Sequence, residues 1–96
     1  MPRESPDKAA KRSEETYRRA LAKVLETPEG RRVLWRVLES AGIYRSTFAG
    51  DDTHRSAMLE GRRSMGLELF DDIMSYVPGQ YPVMQRESLS EESEDA

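Results

Sequence analysis

A chain of 96 residues, 34% charged and 36% hydrophobic, makes one small domain with little apolar surface to bury. It has no cysteine and a single histidine, which excludes disulfides and thiolate chemistry and argues against a structural zinc site. The net charge is −3, yet residues 1–23 are net positive and residues 51–96 net negative, a split that suits internal neutralisation or head-to-tail pairing of copies.

No apolar run is long enough to span a bilayer, and the charged N-terminus lacks the apolar stretch of a signal peptide. Residues 1–6 are polar, carry two prolines and are expected to form a disordered arm. The spacing predicts a first helix over about 7–26. Ala10, Ser13, Tyr17, Ala20, Leu21 and Val24 share one face of it, and Lys8, Arg12, Arg19 and Lys23 share the opposite face. This basic stripe reads as a set of phosphate contacts or a contact with an acidic partner. It also reads as a solvated face, with Glu14 and Glu15 nearby.

Thr27-Pro28-Glu29 is a helix start: a capping hydroxyl, a proline suited to the first turn and an acid that complements the helix dipole. The second helix is predicted over 28–41, with Val33, Leu34, Val37, Leu38 and Ala41 on its apolar arc, Trp35 at the edge and Gly42 as the stop. Residues 43–52 form a loop that Tyr44 and Phe48 pin to the helices. Asp51, Asp52 and Thr53 offer caps for the helix that follows, and His54 is expected at the surface.

The third helix, about 53–77, carries the longest apolar-periodic segment. Met58, Leu59, Met65, Gly66, Leu67, Leu69, Phe70, Ile73, Met74, Tyr76 and Val77 fall on one broad arc, and Arg62 sits inside it. A buried arginine needs a carboxylate, carbonyls or a ligand. Glu29, Glu39 and the carbonyls near Ala41 are the expected partners, and a subunit or phosphate contact is the alternative. Pro78-Gly79 stops the helix. Residues 80–89 suit one short helix or an irregular turn, weakened by Pro82, and residues 88–96 read as a flexible acidic tail. The expected fold is therefore all-α. Three main helices, with room for a short C-terminal one, form a single domain over 7–87. Its core draws on Tyr17, Leu21, Val24, Leu34, Val37, Leu38, Phe48, Met58, Met65, Leu69, Phe70 and Ile73.

Glu29-Gly30-Arg31-Arg32 recurs as Glu60-Gly61-Arg62-Arg63. Glycine inside a helix costs up to about 1 kcal/mol against alanine, so close packing is its usual reason. Gly61 and Gly66 are expected to admit a neighbouring backbone. Arginine brings a planar fork suited to carboxylates, carbonyls and phosphates. Arg31, Arg32, Arg62, Arg63 and Trp35 are the candidate interaction or structural residues. Lys8, Arg12, Arg19 and Lys23 are the candidate phosphate contacts.

Thr27-Pro28-Glu29-Gly30-Arg31-Arg32-Val33-Leu34, then Ala41-Gly42, Ser46, Phe48, Glu60-Gly61-Arg62-Arg63 and Gly66-Leu67, resemble a small tailed-bacteriophage protein family. Its namesake is a Bordetella podophage protein. The likeness covers about residues 20–75. Met65 stands where a polar residue is expected, and the two ends match nothing in the family. The resemblance implies a helical phage protein made alongside head and portal genes, without enzymatic activity. Only the Gly-Arg-Arg positions carry over.

Three functions remain to be weighed. A structural or assembly protein working by contact with phage proteins or with itself fits the thin core. A nucleic-acid-binding accessory or host-takeover protein is the alternative. Arg12, Arg19, Lys23, Arg31, Arg32, Arg36 and Arg45 supply charge for it, and Tyr17, Trp35 and Tyr44 could stack on bases. The isoelectric point near 5.2 stands against that alternative. No triad, paired carboxylate or phosphate loop suggests an enzyme. The expectation is a protein without cofactor, metal or small-molecule substrate, outside the membrane, in the host cytoplasm and, if structural, in the virion.

Overall fold

Four helices follow one another in the computed structural model, which describes residues 4–45, 50 and 52–95: α1 Pro6–Leu25, α2 Pro28–Ala41, α3 Thr53–Tyr76 and α4 Gln80–Asp95. The expected core residue Phe48, the cap offered by Asp51 and residues 1–3 of the expected arm lie outside the described residues. No helix among the described residues is long and apolar enough to cross a membrane.

The helix ends are written locally. Ser5 caps α1, accepting from the Lys8 amide, with Pro6 in the first turn. Thr27 serves two helices at once. Its hydroxyl donates to the Val24 carbonyl at the end of α1 (3.2 Å) and accepts from the Gly30 amide at the start of α2 (3.0 Å). Gly42 ends α2 in the left-handed region, φ 76°. Asp52 caps α3 through the Arg55 amide, 2.8 Å.

α4 is longer than a short terminal helix: it has 16 residues and takes in residues 88–95, read from sequence as tail. Pro82 does not break it, because the third position of a helix has no intrahelical partner for an amide in any case. Glu87 and Glu91 meet Arg31 and Arg32 of α2, contacts between residues far apart in sequence.

The core is small. Leu21 and Leu25 from α1, Leu38 and Ala41 from α2, Ile73 from α3 and Met84 from α4 are buried, with Leu34, Trp35, Ile43, Leu69, Phe70, Tyr76, Val77 and Tyr81 packed around them. The core thus keeps Leu21, Leu38 and Ile73 of the expected set, with Leu34, Leu69 and Phe70 half-buried. Tyr17, Val24, Val37, Met58 and Met65 are exposed instead. In α1 the buried face turns from Val24 toward Leu25. In α3 the expected arc is right in direction but only its C-terminal half is covered. α2 ends at Ala41, and Gly66 packs there: a Cβ on Gly66 would collide with the Ala41 side chain and come within 2.8 Å of Ile43 Cγ2. Residues 53–65 of α3 lie beyond that crossing.

The overall shape follows. The Cα radius of gyration is 17.1 Å, against about 13 Å for a compact domain of this size, and the body measures 58 × 38 × 16 Å.

Candidate interaction site

The two Gly-Arg-Arg stations do different work. At the first, a Cβ on Gly30 would collide with the Val24 carbonyl, so glycine lets α1 and α2 meet at the Thr27 joint. That crossing carries Arg31 inward. Its side chain is 12% exposed and forks onto Glu87, Nε to Oε1 at 2.6 Å and Nη2 to Oε2 at 3.1 Å, while Nη1 donates to the Leu25 carbonyl at 2.9 Å. A bidentate pair and a helix-end carbonyl together occupy the guanidinium. The Glu87 hydrogen bond raises the Arg31 pKa further, and the same bond holds the Glu87 carboxyl below its usual range. Arg32, one position on, turns outward to Glu91 and stays exposed.

At the second station Gly61 has open space where a Cβ would lie, and Arg62 is exposed. The expected burial and pairing of Arg62 are therefore corrected. Among the described residues no ion-pair partner reaches it, and Glu29 and Glu39 are exposed. Arg62 points along the same side of α3 as Ile73, but at a level where α2 has already ended. Arg63 is half-covered, with Glu60 at 4.0 Å. The carboxylate and carbonyl clamp expected at Arg62 exists at Arg31.

Trp35 is half-buried between two tyrosines, with ring centroids 5.8 Å from Tyr44 and 6.0 Å from Tyr81. Phe70 meets Tyr81 edge-on at 5.1 Å, so the cluster ties together α2, its following loop, α3 and α4. The Tyr44 and Tyr81 hydroxyls share a 2.7 Å hydrogen bond; partial desolvation of the hydroxyl and that bond push the Tyr44 pKa up. The indole Nε1 of Trp35 is buried and meets no acceptor among the described residues.

Along α1, Lys8, Arg12, Arg19 and Lys23 are all exposed, on the side opposite the core. Arg12 pairs with Glu4, and Arg19 with Glu15 at 3.3 Å. The stripe thus carries acids of its own. On the inner side Tyr17 donates to Asp72 at 2.8 Å and Tyr76 to Glu14, so Asp72 is a tie to α1. Arg32, Arg36 and Arg45 line a cavity of about 620 Å³ beside Trp35, whose wall also carries Glu39, Glu91 and Glu92.

Sequence reading missed Leu25 and Glu87. Leu25 was visible one helical turn from Leu21. Glu87 had no local signal, because its role depends on Arg31, 56 positions away.

The profile of the Bbp19-like phage protein family matches residues 17–86, a span that contains both Gly-Arg-Arg stations, the aromatic cluster and the core residues named above. The chain belongs to the Bbp19-like phage protein family. This match extends at both ends the likeness read from sequence. No curated protein and no solved structure matches the chain. In this Bbp19-like chain, then, the site residues are known by geometry: Arg31 is internal, while Arg32, Arg62 and the α1 stripe face solvent.

Proposed function

We propose that this Bbp19-like chain is a non-enzymatic structural or assembly protein of the phage, acting by protein–protein contact at the head or portal. One observation carries the reading: apolar side chains are spread over the surface of a thin body. Val33, Tyr44, Met58, Met65 and Leu89 are each more than half exposed, against six buried hydrophobic residues among those described. A partner that binds only the folded chain stabilises such a body by mass action. The head or portal setting is taken from the phage resemblance, which also suggests a host-cytoplasmic protein that enters the virion. Mass spectrometry of purified virions and of immature particles tests it. Peptides of this chain are expected in at least one of the two, and absence from both overturns the reading.

A second reading, nucleic-acid binding, is favoured by the convergence of Arg32, Arg36 and Arg45 beside Trp35. Glu39, Glu91 and Glu92 in the same cavity oppose it by local neutralisation. Labelled DNA titrated with the parent and with Glu91→Gln/Glu92→Gln decides. Real phosphate contacts lower log K by about 0.9 per contact for each unit of log salt. No binding by either protein at low salt removes this reading.

A further inference from the structure

The part of α3 that lies beyond α2 carries a defined face. Arg55, Met58, Arg62 and Met65 follow one another at spacings of three, four and three, which sets them along one side of the helix. All four are exposed, Met58 by 59% and Met65 by 73%. Ser56, Leu59 and Arg63, on the neighbouring side, are half-covered. The open face therefore alternates methionine with arginine, an adaptable apolar strip inside a cationic frame.

The opposite surface exists on the same chain. In α4, Gln85, Leu89 and Glu92 recur at four and three residues, and all are exposed, Leu89 by 63%. Glu87 and Glu91 are engaged by Arg31 and Arg32, whereas Glu92 is exposed. One surface sets two methionines between two arginines, and the other sets Leu89 beside the single exposed carboxylate of Glu92. Within one molecule they do not meet, since Met58, Met65 and Leu89 all face solvent.

We propose that the Met58–Met65 face of α3 docks onto the Leu89–Glu92 face of α4 in a second copy of this chain. The charges select this pairing. Packing two α3 faces together would bring Arg55 and Arg62 of both copies into one seam, where like charges repel. The contact is head to tail, so each copy keeps one face free for the next, and the assembly closes into a ring or grows. This rests on the protein-contact reading above and names the partner within it.

The test uses the full chain in analytical ultracentrifugation across a concentration series at low salt. The parent is expected to gain mass with concentration, and Met65→Ser to weaken association by about tenfold or more, the effect of losing about 1.4 kcal/mol of contact. Arg55→Glu/Arg62→Glu and Leu89→Lys/Glu92→Lys should each be monomeric alone. A one-to-one mixture of those two variants should associate again, because each supplies the complement of the other. Met74→Ser, an exposed apolar position outside both faces, should associate like the parent. A monomeric parent, association of either charge variant alone, a mixture that stays monomeric, or equal loss in Met74→Ser overturns the proposal. A monomeric parent found in virions would remove only the second copy as occupant and leave the protein-contact reading standing.

Discussion

Arg31 and Glu87 meet through two parallel hydrogen bonds, 2.6 and 3.1 Å, and so fasten α4 to the end of α1 by way of α2. The third arm of the same guanidinium holds the Leu25 carbonyl, which belongs to the last residue of α1. Three helices therefore depend on one side chain.

Arg31→Met should lower the melting temperature clearly more than Arg62→Met. The first change strands Glu87 and a helix-end carbonyl, whereas the second removes an exposed charge. Thermal melts of the two variants side by side check this. Equal effects would mean that the Arg31 clamp contributes nothing.

The three helical glycines should respond to alanine with different signs. Gly61→Ala should stabilise by about 0.5–1 kcal/mol, since alanine is the better helix former and nothing occupies the space. Gly30→Ala and Gly66→Ala should destabilise despite the same propensity gain, because the Val24 carbonyl and the Ala41 side chain already fill those sites. Urea melts would read the difference directly.

Leu38→Ala should cost about 2–5 kcal/mol, because Leu38 is fully buried at the centre of the core. Met65→Ala should change stability by less than about 0.5 kcal/mol, as expected at an exposed position. Both values come from denaturant titration at a concentration where the chain is monomeric.

Two opposite pH dependences follow from the tyrosine and glutamate contacts. Tyr17 is pushed from 10.0 up to about 12, first by the partial loss of water around its hydroxyl and then by its bond to Asp72. The neutral form is favoured in the folded chain, so this stabilisation is intact below pH 10 and fades as pH rises toward about 12. Tyr76, raised through Glu14, adds to the same loss. Glu87 is depressed by Arg31, so its contribution is intact above the ordinary carboxylate range and fades as pH falls below it. Melting temperature against pH should decline at both ends. Tyr17→Phe should flatten the alkaline side and Glu87→Gln the acid side.

Local chemistry made much of this fold readable in advance. Thr27-Pro28, Gly42 and Pro78-Gly79 mark helix ends through capping, ring geometry and left-handed backbone, all within a few residues. What failed was the third dimension. A helical wheel gives the direction of Arg62 but not its level along the axis, and at that level α2 has already stopped. The same wheel could not tell which of two Gly-Arg-Arg stations faces a neighbour. Glu87 and the full length of α4 depend on arginines more than fifty positions earlier, which no local window contains.

Trp35 is the single tryptophan of the chain, and its indole N–H is covered, with the ring against a tyrosine from α4. Its emission is consequently a built-in optical gauge of whether α4 is docked. With α4 in place the indole N–H is covered, so the spectrum lies to the blue of that of the undocked ring. If α4 swings off α2, water reaches the ring and the spectrum moves red while the helices themselves persist. A fluorescence shift that precedes loss of helical circular dichroism would mark the undocking of one helix as a separate event, observable without any added label.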